Sequence, residues 1–378
     1  MRRYLDRYEV AHLGAPTAFV ADCVGAVNES ALAAAFDLLC VQHPALRAHV
    51  RHDGHGHFLD ARHGHRAVFR AQSGEQSGYP RDVAARWDVA DSLATLTVSR
   101  LPDRVRVAFY LDHCIGDGRC AYALYESLWR LYTDIVTGAK VSVRPPHKLP
   151  PPPLEVLAVR TGTRRDAPTG VPPVSAALPV LRYRRVLLTG AETTALLKTA
   201  RAHGVTVYAL LAAAAAHAQG ATTIWAVIDL RGRVEPPVGP TDTTNFASAA
   251  TLDLALGEDP IATAGDIRAR LLAAIAAGVP LRNMRDDAVG RSMSRPRSGL
   301  AAAIVSNLGS MPEFATPHGV AITDFRIWPY GWAHVCPMYM ASTYGGRLGV
   351  DMVFRADVHT DETADRLADA VRLFMTAV

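Results

Sequence analysis

The stretch that most constrains the fold is Phe109-Tyr-Leu-Asp-His-Cys-Ile-Gly-Asp-Gly-Arg119, where one backbone periodicity gives way to another. Upstream, Val105, Val107, Phe109 and Leu111 alternate with Arg104, Arg106, Ala108 and Tyr110, the two-residue period of a half-buried strand. Downstream, Tyr122, Tyr125, Leu128, Trp129, Tyr132, Ile135 and Val136 recur at helical spacing until Gly138 supplies a stop. The junction carries His-x-x-x-Asp-Gly at His113, Asp117 and Gly118, and two glycines around the aspartate suit a tight turn. A histidine at a strand end, on the lip of such a turn, is placed to face a cleft.

That spacing permits general-base catalysis, because a neutral imidazole titrates near working pH and can deprotonate a hydroxyl or amine attacking a carbonyl. Asp117 lies beyond the turn and is expected to lock the loop by pairing with an arginine rather than to relay protons. The motif alone does not separate this reading from a core histidine beside a turn.

At 378 residues the chain has room for two domains with ample cores. Its start, Met-Arg-Arg-Tyr-Leu-Asp-Arg-Tyr-Glu, is charged throughout, unlike a signal peptide. The longest apolar run, 208–216, is too short to span a bilayer and reads as a buried helix. Five cysteines without regular spacing argue for a reducing compartment, hence a cytoplasmic location. The net charge of +4 does not demand nucleic acid. One cluster is sharper: Arg282, Arg285, Arg291, Arg295 and Arg297 face only Asp286 and Asp287 nearby in sequence. It reads either as a solvated loop or as a docking site for an acidic or phosphate-bearing carrier, since arginine forks suit phosphate.

In chain order, a strand over 17–27 precedes a helix over 30–39 capped by Ser30 or Asn28. Gln42-His-Pro-Ala-Leu-Arg47 follows, then a hairpin turning at Asp53-Gly54. His49, His52, His55, His57, His63 and His65 crowd there without a recognisable ligand set, so they are expected to be solvated and no metal is assigned. Six prolines among residues 145–153 end the first half, and 145–179 reads as a linker. The domains expected are therefore 1–144 and 180–378. The second opens with a strand over 183–188, helices over 191–203 and 206–218, and a strand over 223–229. A turn-rich loop, a long helix over 259–278 and a strand over 300–305 come next. Strands over 322–328, 335–343 and 347–354 read as a meander, and a helix over 361–376 closes the chain.

Several stretches together resemble the condensation-domain-like acyltransferases: chloramphenicol acetyltransferase, nonribosomal peptide condensation domains, plant BAHD enzymes and, most closely, the polyketide-associated group typified by mycobacterial phthiocerol dimycocerosyl transferase. The stretches are His113-Cys-Ile-Gly-Asp-Gly118, the upstream His43-Pro-Ala-Leu-Arg47, and the ordered Asp229-Leu-Arg231, Pro236-Pro-Val-Gly-Pro and Thr244-Asn245. Ser306-Asn-Leu-Gly309 is similar to the Ser-Asn turn of related wax-ester synthases. The resemblance implies an α+β fold: two chloramphenicol-acetyltransferase-like domains, each a mixed sheet flanked by helices, with a tunnel between them. It implies His113 as base and Asp117 as a structural residue paired with an arginine, Arg231 first and Arg47 behind it. Many relatives carry two adjacent histidines; here the first is Asp112, which would tune its neighbour or alter the tunnel lining.

The implied reaction moves an acyl group from a thioester, borne by CoA or by the phosphopantetheine of a carrier protein, to a hydroxyl in lipid, polyketide or other secondary-metabolite synthesis. It needs no bound cofactor and no metal, and a monomer suffices. Candidate oxyanion or substrate-binding donors are Asn245, Ser306, Asn307 and Trp332. Alternatives are an amide-forming or epimerase-like condensation enzyme and a silent carrier-binding module, against which the intact His113 speaks. A thiol nucleophile at Cys114 is disfavoured because neighbours at a strand end point to opposite faces. Ser306 lacks a Gly-x-Ser-x-Gly elbow.

Overall fold

The computed structural model describes residues 1–62, 64–73, 87–143, 146, 148–163, 180–286, 300–329 and 335–377. Contacts divide the chain into two compact units. The first takes residues 1–178 and recovers Arg231–Phe246 and Phe314–Trp332; the second holds the rest. A single cut at the proline-rich segment would miss both recovered pieces.

The strands, in chain order, are β1 (Arg2–Tyr4), β2 (Pro16–Gly25), β3 (His49–Asp53), β4 (Gly56–Asp60), β5 (Val68–Ser73), β6 (Ala94–Arg100), β7 (Val105–Asp112), β8 (Leu181–Leu187), β9 (Thr223–Asp229), β10 (Ala247–Asp253), β11 (Ala302–Ser310), β12 (Val320–Pro329), β13 (Met338–Tyr344) and β14 (Arg347–Arg355). The first unit has a five-stranded sheet ordered β12-β2-β7-β6-β5, antiparallel except for β5 and β6. The small sheet β1-β4-β3 belongs to it as well. The second unit has a six-stranded mixed sheet, β10-β9-β11-β13-β14-β8.

The expected α+β class and mixed sheets are present, and the strand-to-helix junction falls where the periodicity changes: β7 ends at Asp112 and a helix runs Gly118–Val136. That helix buries Leu124, Tyr125, Leu128, Trp129 and Tyr132. Tyr125 stacks on Phe109 at 6.1 Å between ring centroids and donates its hydroxyl to the Val107 carbonyl at 2.9 Å. Each large apolar side chain buried this way contributes about 2–3 kcal/mol. In the second unit the helix Val207–Gln219 buries every residue from 209 to 216, six of them alanine; side chains that small let the backbone lie close to its neighbours. Its last residue, Gln219, donates to the carbonyls of Leu300 and Ala302 and accepts from the Tyr339 hydroxyl.

Three expectations need correction. The last three strands are not a meander: β12 pairs with β2 in the first unit, from Val320↔Gly25 to Pro329↔Thr17, while β13 and β14 pair in the other sheet. Alternation along a strand marks its buried face but not which sheet it joins. The segment read as linker contains a helix, Pro153–Thr161, because Pro152 and Pro153 fall at its N-cap and first turn, where a missing N–H costs nothing. Finally, β10, which follows the turn-rich loop, and a short helix, Arg7–Ala11, went unread. Among the described residues no helix is long and apolar enough to cross a membrane.

Candidate active site

The site is built around the turn that follows β7. The backbone of His113 donates to the Ala15 carbonyl at 3.1 Å, continuing the β2–β7 ladder by one residue. Ile115 N–H then returns to the Asp112 carbonyl at 3.0 Å and closes the turn. Gly116 fits tightly: a Cβ there would come within 2.5 Å of a Leu111 methyl. Asp117 caps the helix Gly118–Val136, its Oδ1 accepting from the backbone of Arg119 and Cys120, both at 3.0 Å.

The other carboxylate oxygen of Asp117 accepts from Arg231 Nη1 at 2.5 Å and from the Phe246 backbone at 2.6 Å. Four donors therefore saturate this buried carboxylate, which leaves it no capacity to relay a proton. Arg231 also donates to the Thr244 carbonyl at 3.0 Å, so one ion pair ties the motif turn to the 244–246 strand entrance. Arg47, the second candidate partner, donates instead to the Arg62 carbonyl.

His113 sits under the same segment. The backbone of His113 itself and of Gly116 lies close enough to the ring to favour its protonated form. The Asn245 side-chain amide lies 3.1 Å from Nδ1. The donor in this contact depends on the imidazole tautomer: a proton on Nδ1 calls for the amide oxygen and makes Nε2 the base, whereas a bare Nδ1 accepts from the amide N–H. Burial holds the imidazole pKa below its usual 6.5, against the attraction of Asp117, so the ring is neutral at physiological pH.

Asp112 turns away from this chemistry. Its carboxylate accepts from Gly14 N–H at 3.1 Å, Trp87 Nε1 at 2.8 Å and Cys114 N–H at 3.1 Å. It braces the turn from behind, and burial raises its pKa. Cys114 is fully buried, and burial together with Asp112 pushes its thiol well above 9, so it is no nucleophile.

The remaining sequence-derived candidates belong to other elements. Ser306 and Asn307 lie on β11 of the second unit, where Asn307 Oδ1 accepts from Gly309 N–H at 2.7 Å across a bulge. Trp332, Arg291, Arg295 and Arg297 lie outside the described residues. Arg282 donates to the Ala277 carbonyl, and Arg285 pairs with Asp286 at 2.7 Å. His43, from the His-Pro-Ala-Leu-Arg stretch, lines a cavity of about 330 Å³ with Leu46, Ile115, Cys120 and Lys148; burial lowers its pKa to about 4. The hairpin histidines belong largely to strands: His49 stacks on His65 at 3.9 Å, and His52 faces His57 at 4.8 Å. Among the described residues no three metal-ligating side chains gather in one group.

Sequence reading missed Glu9 and His12, which flank the site from the N-terminal helix. The signal was there: Asp6-Arg-Tyr-Glu9 is a capping-box pattern, and both reciprocal bonds form.

Residues 178–353 match the family model of the phthiocerol/phthiodiolone dimycocerosyl transferase C-terminus. A phthiocerol/phthiodiolone dimycocerosyl transferase of Mycobacterium ulcerans is 29% identical over 351 residues, covering 82% of this chain and 81% of that protein. Among solved structures, polyketide synthase associated protein 5 of Mycobacterium tuberculosis superposes with a TM-score of 0.81 at 24% identity, over 100% of this chain and 97% of the other. A trichothecene 15-O-acetyltransferase from Fusarium sporotrichioides gives 0.74 at 12% identity, over 100% and 95%. The fold is thus that of the condensation-domain-like acyltransferases, and the Mycobacterium ulcerans and Fusarium sporotrichioides proteins are by name transferases of acyl groups.

Proposed function

We propose that this chain, an acyltransferase of the condensation-domain-like kind, moves an acyl group from a thioester to a hydroxyl acceptor with His113 as general base. The observation that carries the reading is the placement of the ring: His113 follows β7 on the turn capped by Asp117, its Nδ1 lies 3.1 Å from the Asn245 side-chain amide, and burial disfavours its charged form, so a neutral imidazole is held ready to take a proton, the proposed basic atom being Nε2.

Nε2 takes the acceptor's O–H proton as the oxygen attacks the thioester carbonyl carbon. The tetrahedral oxyanion collapses, the C–S bond breaks, and the departing thiolate takes the proton back from the imidazolium. Atoms and charge balance without an acyl-enzyme or any other reagent. Holding acceptor and thioester in line accounts for much of the acceleration, and the rigid clamp around His113 serves that end. Asn245 holds the ring rather than the oxyanion, because its amide already faces Nδ1.

The test is free-thiol release from medium- and long-chain acyl-CoA with and without a panel of alcohols and amines, comparing wild type with His113→Ala. Acceptor-dependent release, reduced by about a thousandfold or more in the variant, is expected. Equal release by both proteins would overturn the assignment.

A further inference from the structure

The base is gripped by a part of the chain that the reaction does not otherwise involve. Glu9 is completely buried yet carries a carboxylate, a placement that costs several kcal/mol unless every lone pair is engaged. All four sites are engaged. Oε1 accepts from Arg3 Nη2 at 2.7 Å and from the Thr244 hydroxyl at 2.6 Å. Oε2 accepts from Arg3 Nη1 at 2.7 Å and from Asp6 N–H at 3.0 Å. Three of these bonds lie within the N-terminal segment; the fourth reaches Thr244, the residue immediately before Asn245.

Asn245 is therefore pinned from both sides. Behind it, the Thr244 side chain is held by Glu9 and the Thr244 carbonyl by Arg231; ahead of it, Phe246 N–H is held by Asp117. Releasing Thr244 frees the peptide that aims the Asn245 amide at His113 Nδ1.

The same segment touches the catalytic ring directly. His12 ends the helix Arg7–Ala11, and its Nδ1 donates to the Tyr8 carbonyl at 2.6 Å. Its ring lies 4.6 Å from that of the buried Tyr8 and 5.1 Å from that of His113, tilted by 53°. The hydrogen bond fixes the ring of His12, and the fixed ring limits rotation of His113 about its Cβ–Cγ bond.

We propose that Arg3–His12 is a positioning element for the base: Glu9, through Thr244, sets the Asn245 amide on one side of the His113 ring, and His12 packs against it. Glu9, Thr244 and His12 are positioning residues that act through His113 and Asn245. The inference rests on the reading of His113 as base.

Four variants test it beside His113→Ala: Thr244→Val, which removes only the donor to Glu9; Thr244→Ser, which restores it; His12→Ala; and His12→Phe, which keeps a ring. We expect kcat to fall about tenfold in Thr244→Val and His12→Ala with KM unchanged. Thr244→Ser and His12→Phe recover most of it, and all four unfold within a few degrees of wild type. A merely structural role would lower stability and leave kcat per folded molecule unchanged. Wild-type kcat in both Thr244→Val and His12→Ala, with His113→Ala inactive, overturns the positioning role alone. Retained turnover in His113→Ala overturns the underlying reading instead.

Discussion

The two units bury similar sheets and helices but treat charge differently. Among the described residues, the first unit buries Glu9, Asp22, Asp60, Arg106, Asp112, Asp117 and Arg231, while the second buries one ionisable carboxylate or guanidinium residue, Asp351. Burying charge is expensive, and apolar residues would pack as well or better. The first unit accepts that cost where chain segments distant in sequence must meet at a fixed distance: Asp117 with Arg231 and Phe246, Glu9 with Thr244, Asp22 with Arg106 and Arg326. The second unit, organised around an alanine-rich helix, needs close approach but little directional specification. Several of these directional bonds surround His113, the residue proposed as the base.

The largest effect that could break this contrast is a matched pair of substitutions. Asp117→Asn leaves Arg231 buried without a counter-charge and is expected to cost about 3–5 kcal/mol. Asp351→Asn, which loosens the Arg185 pair at 2.9 Å in the second unit, is expected to cost about 1 kcal/mol because Arg185 retains some solvent. Denaturant titration compares them; equal costs would mean that the second unit relies on charge as much as the first.

A smaller effect sharpens the contrast through pH. Burial keeps His113 below 6.5 in the folded chain, so as pH falls below 6.5 the unfolded chain takes up a proton that the folded chain refuses, and stability is lost. Asp6 acts in the opposite sense. Burial and the neighbouring Glu9 raise its carboxyl from 3.8 to about 7, so its contribution is present below pH 3.8 and disappears as pH rises through 7. Asp6→Asn should therefore remove a decline in stability between about pH 4 and 7, whatever its absolute effect at one pH. An unaltered pH–stability slope would show that Asp6 does not titrate in that window.

The smallest effect concerns exposed charge. Arg282→Glu with Arg285→Glu should change stability by less than about 0.5 kcal/mol. If the helix Val279–Asp286 serves carrier docking, the pair raises KM for a carrier-borne donor and spares a small thioester. Equal loss on both donors would remove docking from the account of this surface.

Much of the site was legible because its residue types are costly where they stand. A histidine and an aspartate around a Gly-rich strand-to-helix turn, and an arginine after the strand over 223–229, are hard to explain by packing. The pair Asp117–Arg231 forms. Strand boundaries were readable from alternation, and β9 matches residue for residue. What alternation lacks is an address: nothing in Val320–Pro329 says that it pairs with β2 rather than with β13. The helix Pro153–Thr161 was hidden because prolines, which break a helix internally, also start one. Asn245 was read as an oxyanion or substrate-binding donor; its 3.1 Å approach to Nδ1 of His113 is a tertiary distance that no local pattern carries.

The return of β12 to the first sheet also has a consequence for synthesis. Its partner β2 is made about three hundred residues earlier, and the arginine that neutralises Asp117 arrives 114 residues after it. A ribosome-bound chain of 178 residues thus carries His113 but neither the edge strand nor the guanidinium that complete its surroundings. Folding from the N-terminus must wait, with the edge of β2 open to other partners, until residue 329 has left the exit tunnel. Chaperone capture of arrested nascent chains should therefore end abruptly with the emergence of that strand, well after the first half of the chain is in solution.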